Sequence, residues 1–188
     1  MKLYFVTTNS HKYNEFDHIL HGFGIDLIKV SDPSIKEIQS ISIEEIVQDK
    51  TVKAFKKIMR PLIVEHTGMY IEEFGDLPGG LTQIFWKSLG DKKIADLFSV
   101  LGDGKAKCVT KIGFCDGKEI KQFSGEIIGK IISPPIGKGN FDWDTVFQPD
   151  DSKKTFAQMK FAEKCSISMR TKAIMDFICY LKSEGMLK

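Results

Sequence analysis

The chain is short of the residues that announce a metal-stapled or disulfide-stapled fold. Its 188 residues contain four cysteines, Cys108, Cys115, Cys165 and Cys179, and no CxxC pair. That excludes a zinc knuckle and gives no support to a disulfide framework. Charge of one sign is also lacking: 27 basic against 25 acidic residues leave a net +2. No strong field points to a nucleic acid or a membrane surface, so any anion site must come from a few local cations. No apolar run is long enough to span a bilayer, and Met1-Lys2-Leu3-Tyr4-Phe5-Val6 enters a strand pattern directly, without the profile of a signal peptide. No internal repeat or low-complexity tract is visible. The expectation is a cytoplasmic protein of one domain, residues 1–188, with two lobes around a cleft. A hydrophobic fraction of 42% is ordinary for a globular chain.

What is present reads as an α/β fold. Lys2–Thr8 is a buried-strand run, and Asn9 and Ser10 are good caps for a helix over His11–Phe23. Asp26–Val30 reads as a second strand. Ser42 and Glu45 form a capping-box pattern for an amphipathic helix over Ser42–Met59, and Leu62–His66 is a third strand. Strand, helix, strand, helix, strand indicates an α/β core. Beyond the turn-rich Gly75–Gly80, two short helical stretches are expected, around Leu81–Leu89 and Lys92–Leu101. Lys107–Cys115 and Lys118–Ile132 form a hairpin turning at Asp116-Gly117. The last helix covers about Ser168–Ser183. The pattern predicts an elongated mixed sheet with flanking helices and a central nucleotide cleft.

The chemistry concentrates at a few places. In Phe141-Asp142-Trp143-Asp144, aromatics flank carboxylates, and Lys164, Ser168 and Arg170 follow. An aromatic face stacks on a flat base, a carboxylate accepts from ring N–H groups, and cations neutralise phosphate. Thr7-Thr8-Asn9-Ser10-His11-Lys12 places a helix N-terminus and a lysine where an anion would be favoured. Glu37 can offer oxygen to a hard cation, and Lys50 can face phosphate. Val64-Glu65-His66-Thr67-Gly68 puts polar residues at a strand's C-terminal end, where ligands of open α/β sheets collect. Taken singly, each has an ordinary structural explanation: a capped helix, an exposed carboxylate, a buried aromatic.

Taken in order, these segments resemble the inosine triphosphate pyrophosphatase family, which acts on non-canonical purine nucleotides. The resemblance runs from Thr7–Lys12 through Val64–Gly68, Leu77-Pro78-Gly79, Ser124-Gly125-Glu126, Gly129-Lys130-Ile131, Phe141–Asp150, Thr155–Met159 and Glu163-Lys164 to Ser168 and Arg170. It implies a homodimer that binds ITP, dITP or XTP with Mg²⁺, and no nucleic-acid or membrane partner. It implies that Thr8, Asn9 and Lys12 cradle the triphosphate, that Glu37 helps hold the metal and that Lys50 lies near the phosphates. Phe141 would stack on the base, Trp143 and Asp144 would shape the pocket, and Lys164, Ser168 and Arg170 would belong to the nucleotide site.

Three positions depart from the family's pattern. His66 stands where an aspartate in metal-linked catalysis is expected, Met169 where a base-recognising histidine is, and Asp142 where glycine is usual. Imidazole is a poor ligand for Mg²⁺, which prefers oxygen in octahedral geometry. The expectation is therefore a catalytically impaired nucleotide sensor. Members of this fold also occur in antiviral systems beside NAD-consuming effectors, which implies an effector protein as partner. The alternatives are an active Mg²⁺-dependent pyrophosphatase in which His66 serves as the base, and a structural subunit that binds no nucleotide.

Overall fold

The computed structural model describes residues 1–75, 77–102, 104–138 and 143–187. Among them one sheet runs β2-β1-β3-β5-β6-β7, with a short β4 paired to β3. Its strands are β1 Lys2–Val6, β2 Asp26–Val30, β3 Leu62–Ile71, β4 Pro78–Gly79, β5 Lys105–Cys115, β6 Ile120–Ile131 and β7 Phe147–Pro149. The helices are α1 Ser10–His21, α2 Ile43–Ile58, α3 Thr82–Leu101, α4 Phe161–Ile167 and α5 Met169–Ser183. The mixed α/β expectation holds.

Local chemistry sets the helix boundaries. Asn9 caps α1 by accepting from the Lys12 N–H at 3.0 Å, and Ser42 caps α2 by accepting from the Glu45 N–H at 3.2 Å. The capping box at Ser42 is only half made, because the Glu45 carboxylate accepts from Ser40 Oγ at 2.7 Å instead. A second box closes at Thr155 and Gln158. Gly90 adopts φ 74°, ψ 162° inside α3 and breaks it into two helical segments, as the two separate stretches in the sequence suggest. Gly117 takes φ 98° in the turn between β5 and β6, where a side chain would be strained.

The sheet is parallel on one side and antiparallel on the other. β1 pairs in parallel with β2 and β3, whereas β3 runs antiparallel to β5 from Leu62 opposite Cys115 to Ile71 opposite Ala106. β3 is longer than Leu62–His66; pairing with β5 carries it through Thr67 and Gly68 to Ile71. Alternation along β3 sends Ile63 to a core with Phe16 and Leu20 of α1 and Phe177 and Ile178 of α5. Leu62 and Val64 face Ile43, Val47 and Ala54 of α2 on the other side. A third core gathers Met69 and Ile71 with Trp86 and Phe98 of α3 and with Trp143, Phe147 and Phe156. The polar middle of β3, Glu65 to Thr67, therefore lies between three packed cores.

Candidate nucleotide cleft

A cleft of about 420 Å³ opens where these cores meet. It is lined by the end of β1 (Val6, Thr7, Thr8), by Asn9 and Lys12 of the α1 N-terminus, and by the connection carrying Asp32, Glu37 and Gln39. Lys50 of α2, His66 and Thr67 of β3, Gln83 of α3 and Trp143 complete it. Of the residues singled out in the sequence, Thr8, Asn9, Lys12, Glu37, Lys50, His66 and Trp143 come together here. Phe141 and Asp142 lie outside the described residues.

Alternation places Glu65 and His66 on opposite faces of the sheet. Glu65 is buried, with Oε2 2.7 Å from Lys12 Nζ and Oε1 3.9 Å from Arg170 Nε. Thr67 Oγ1 donates to Glu65, and stands 2.6 Å from Thr110 Oγ1 on β5. Burial pushes the Glu65 carboxyl up, but Lys12 and Arg170 outweigh it and bring it down to about 2. Arg170 is 1% exposed and also pairs with Glu15 of α1. It stands at the base of the cleft wall, holding α1, β3 and α5 together.

On the other face, Glu37 Oε1 accepts a hydrogen bond from Lys50 Nζ at 2.5 Å, while its Oε2 lies 3.6 Å from His66 Nδ1. Burial raises the Glu37 carboxyl and is overcome by His66 and Lys50, which hold it well below the usual carboxylate range. His66 Nε2 is 2.9 Å from the Gly80 carbonyl oxygen. A carbonyl only accepts, so Nε2 carries the proton. Two cleft lysines are thus matched with carboxylates, Lys12 with Glu65 and Lys50 with Glu37, and each can turn to an incoming phosphate.

At the far wall Trp143 packs against Trp86, with ring centroids 5.6 Å apart. Asp144 is 7% exposed and pairs with Lys164 at 2.5 Å. Burial pushes the Asp144 carboxyl up, only partly offset by Lys164. Among the described residues its Oδ1 is buried without a hydrogen-bond partner. Ser168 is buried and caps α5 by accepting from the Thr171 N–H at 3.2 Å. Asp144, Lys164, Ser168 and Arg170 lie behind the cleft lining rather than on it. Sequence reasoning passed over Gln83 and Gly80, and included Thr7 and Thr67 in candidate segments without giving either a role. Thr7 follows the end of a buried strand, whereas Thr67 lies inside β3.

Against Mg²⁺ the donor set reads poorly. One carboxylate, already engaged by Lys50, and one imidazole face each other, and among the described residues no group of three or more metal-binding side chains is gathered. Mg²⁺ demands oxygen on nearly every position.

The Ham1 family pattern matches residues 3–180. This chain belongs to the Ham1 family. A dITP/XTP pyrophosphatase of Methanopyrus kandleri is 35% identical over 184 residues, covering 97% of both chains. An inosine triphosphate pyrophosphatase of Kluyveromyces lactis is 33% identical over 190 residues, covering 98% of this chain and 97% of its own. Among solved structures, the Staphylococcus aureus Ham1 protein superposes with a TM-score of 0.79 at 25% identity, over 98% of this chain and all of that one. A HAM1 protein from Coxiella burnetii reaches 0.83 at 22% identity over 97% of this chain and 99% of its own, which speaks to the fold alone. No helix among the described residues is long and apolar enough to cross a membrane.

Proposed function

We propose that this protein binds 6-oxo purine nucleoside triphosphates, ITP, dITP or XTP, in the cleft and turns them over slowly or not at all with Mg²⁺. The observation that carries the reading is the meeting of Thr8, Asn9, Lys12, Lys50 and Trp143 around one opening, with His66 of β3 among them. The α1 N-terminus offers backbone N–H groups and its dipole, and the two lysines offer charge, so a triphosphate is well matched. The similarity to dITP/XTP and inosine triphosphate pyrophosphatases supports the same ligand class.

Turnover is a separate matter from binding. His66 Nε2 lies 2.9 Å from the Gly80 carbonyl oxygen and Nδ1 faces Glu37 Oε2 at 3.6 Å, so an imidazole rather than a carboxylate occupies that place on β3 to activate water. Losing a general base costs about 10² to 10⁴ in rate. A ligand held and not consumed suits a sensor, and the proposal extends to a homodimer reporting to an effector protein.

Calorimetry with ITP or dITP should show saturable binding, tighter than for ATP. Pyrophosphate release on the same sample, with Mg²⁺, should fall about 10²-fold or more below that of the Methanopyrus kandleri relative. Rapid Mg²⁺-dependent release would instead make His66 a working base and the chain a pyrophosphatase.

A further inference from the structure

The aromatic wall of the cleft is fastened from outside by one carboxylate. Trp86 is buried, and an indole N–H only donates, so it calls for an acceptor within reach. Asp91 supplies one: its Oδ1 accepts from Trp86 Nε1 at 3.1 Å. In an unbroken helix, residues five apart stand about 140° apart around the axis and do not meet. The break at Gly90, with φ 74° and ψ 162°, turns Asp91 back toward Trp86. A Cβ on Gly90 would meet nothing within 4 Å, so the backbone angle rather than space calls for glycine there. The second oxygen of Asp91, Oδ2, accepts from the Thr145 hydroxyl, 54 residues along the chain. Thr145 lies in a turn where the Val146 and Phe147 N–H groups donate to the Trp143 carbonyl at 3.1 and 3.0 Å. Trp143 packs against Trp86, ring centroids 5.6 Å apart, and lines the cleft. Asp91 thus holds both the ring that backs Trp143 and the turn that carries it, without lining the cleft itself.

We infer that Asp91 is a positioning residue for the cleft: by bridging Trp86 and Thr145 it sets the Trp143 ring, and with it the share of the affinity that comes from the base. Its carboxylate accepts from two neutral donors, and such charge-assisted bonds are stronger than neutral ones. Phosphate is met elsewhere, at the α1 N-terminus and at Lys12 and Lys50. Removing the Asp91 carboxylate therefore costs the base and spares the triphosphate. This inference rests on the nucleotide-binding reading above and adds to it a residue outside the cleft.

The test uses the whole chain with Mg²⁺ and two probes, a non-hydrolysable α,β-methylene analogue of ITP and inorganic tripolyphosphate. By calorimetry, Asp91→Ala should weaken the analogue about fivefold or more, the low end of what one aromatic contributes to holding a base, and change tripolyphosphate by less than about twofold. Asp91→Asn keeps an acceptor for Trp86 and offers an amide to Thr145, so it should restore most of the loss. Trp86 and Trp143 are the only tryptophans in the chain, so the near-UV circular dichroism of tryptophan reads this pair directly. Without ligand, Asp91→Ala should reduce those bands and Asp91→Asn should bring them back. If Asp91→Ala does not fold, Thr145→Val, which removes one hydroxyl, takes its place with the same expectations. Equal weakening of both probes, unchanged affinity for the analogue, or an unchanged near-UV spectrum would overturn the inference. Failure of the unaltered chain to bind the analogue would sink the nucleotide reading instead. The near-UV bands then decide, as they do if tripolyphosphate alone fails to bind: their loss with Asp91→Ala and return with Asp91→Asn support the positioning role, and an unchanged spectrum refutes it.

Discussion

Glu65 shows how a single buried carboxylate can be both a liability and a fastening. Isolated in the interior it would cost several kcal/mol, and breaking a buried pair leaves the partner charges uncompensated. Here Lys12 on one side and Arg170 on the other hold its carboxyl at about 2, against an ordinary 4.5. The folded state therefore binds this proton less readily than the unfolded chain does. Its stabilisation is complete above about pH 4.5 and fades as pH falls toward 2. At neutral pH Glu65→Gln should cost on the order of 3 kcal/mol in urea unfolding. The gap between the two proteins should narrow when the measurement is repeated near pH 3. A gap of equal size at both pH values would mean that the charge on Glu65 is not what stabilises the fold.

At the scale of elements, the seating of α5 on β6 depends on a missing side chain. A Cβ on Gly125 would lie 2.1 Å from the Met169 carbonyl oxygen and 2.4 Å from the Ala173 nitrogen, both on the first turns of α5. Gly125→Ala must lift that end of the helix, at a cost of about 1–3 kcal/mol. Because Ser168 and Arg170 sit at the same end, nucleotide binding should weaken as well. Glu126→Ala, next along β6 but exposed, with its carboxylate 3.6 Å from Lys107, should change stability by less than about 0.5 kcal/mol. Thermal unfolding of the two variants side by side checks the contrast.

Elements of this kind differ in how far the sequence reveals them. The starts of α1 and α2 were legible because Asn9 and Ser42 act on backbone groups three residues away. The break at Gly90 and the turn at Gly117 were legible for the same local reason. The extension of β3 to Ile71 was not, since its polar residues are buried only by partners on α1, α2, β5 and α5. β7 has three residues, too few to show a period. Within the site, the cleft-lining set could be read from strand ends and a helix N-terminus. The pairing of Asp144 with Lys164 across 20 residues, and the link from His66 to Gly80 across 14, are products of the tertiary fold.

Over the whole molecule, the cleft draws its walls from both halves of the chain. Thr8, Lys12, Glu37, Lys50 and His66 come from the parallel side of the sheet, and Gln83 and Trp143 come from later segments. A ligand filling the opening binds the folded state and not the unfolded chain. At a concentration of 100 times its Kd it stabilises the fold by about 2.7 kcal/mol. For a chain of 188 residues that is a rise in Tm of about 5–10 °C. ITP and ATP carry the same triphosphate, so Asn9, Lys12 and Lys50 treat them alike, and any difference between them reads the base. At equal millimolar concentrations with Mg²⁺, ITP should raise Tm by several degrees more than ATP. Equal shifts from the two nucleotides would show a cleft that reads phosphate alone, and would remove the basis for assigning it to 6-oxo purines.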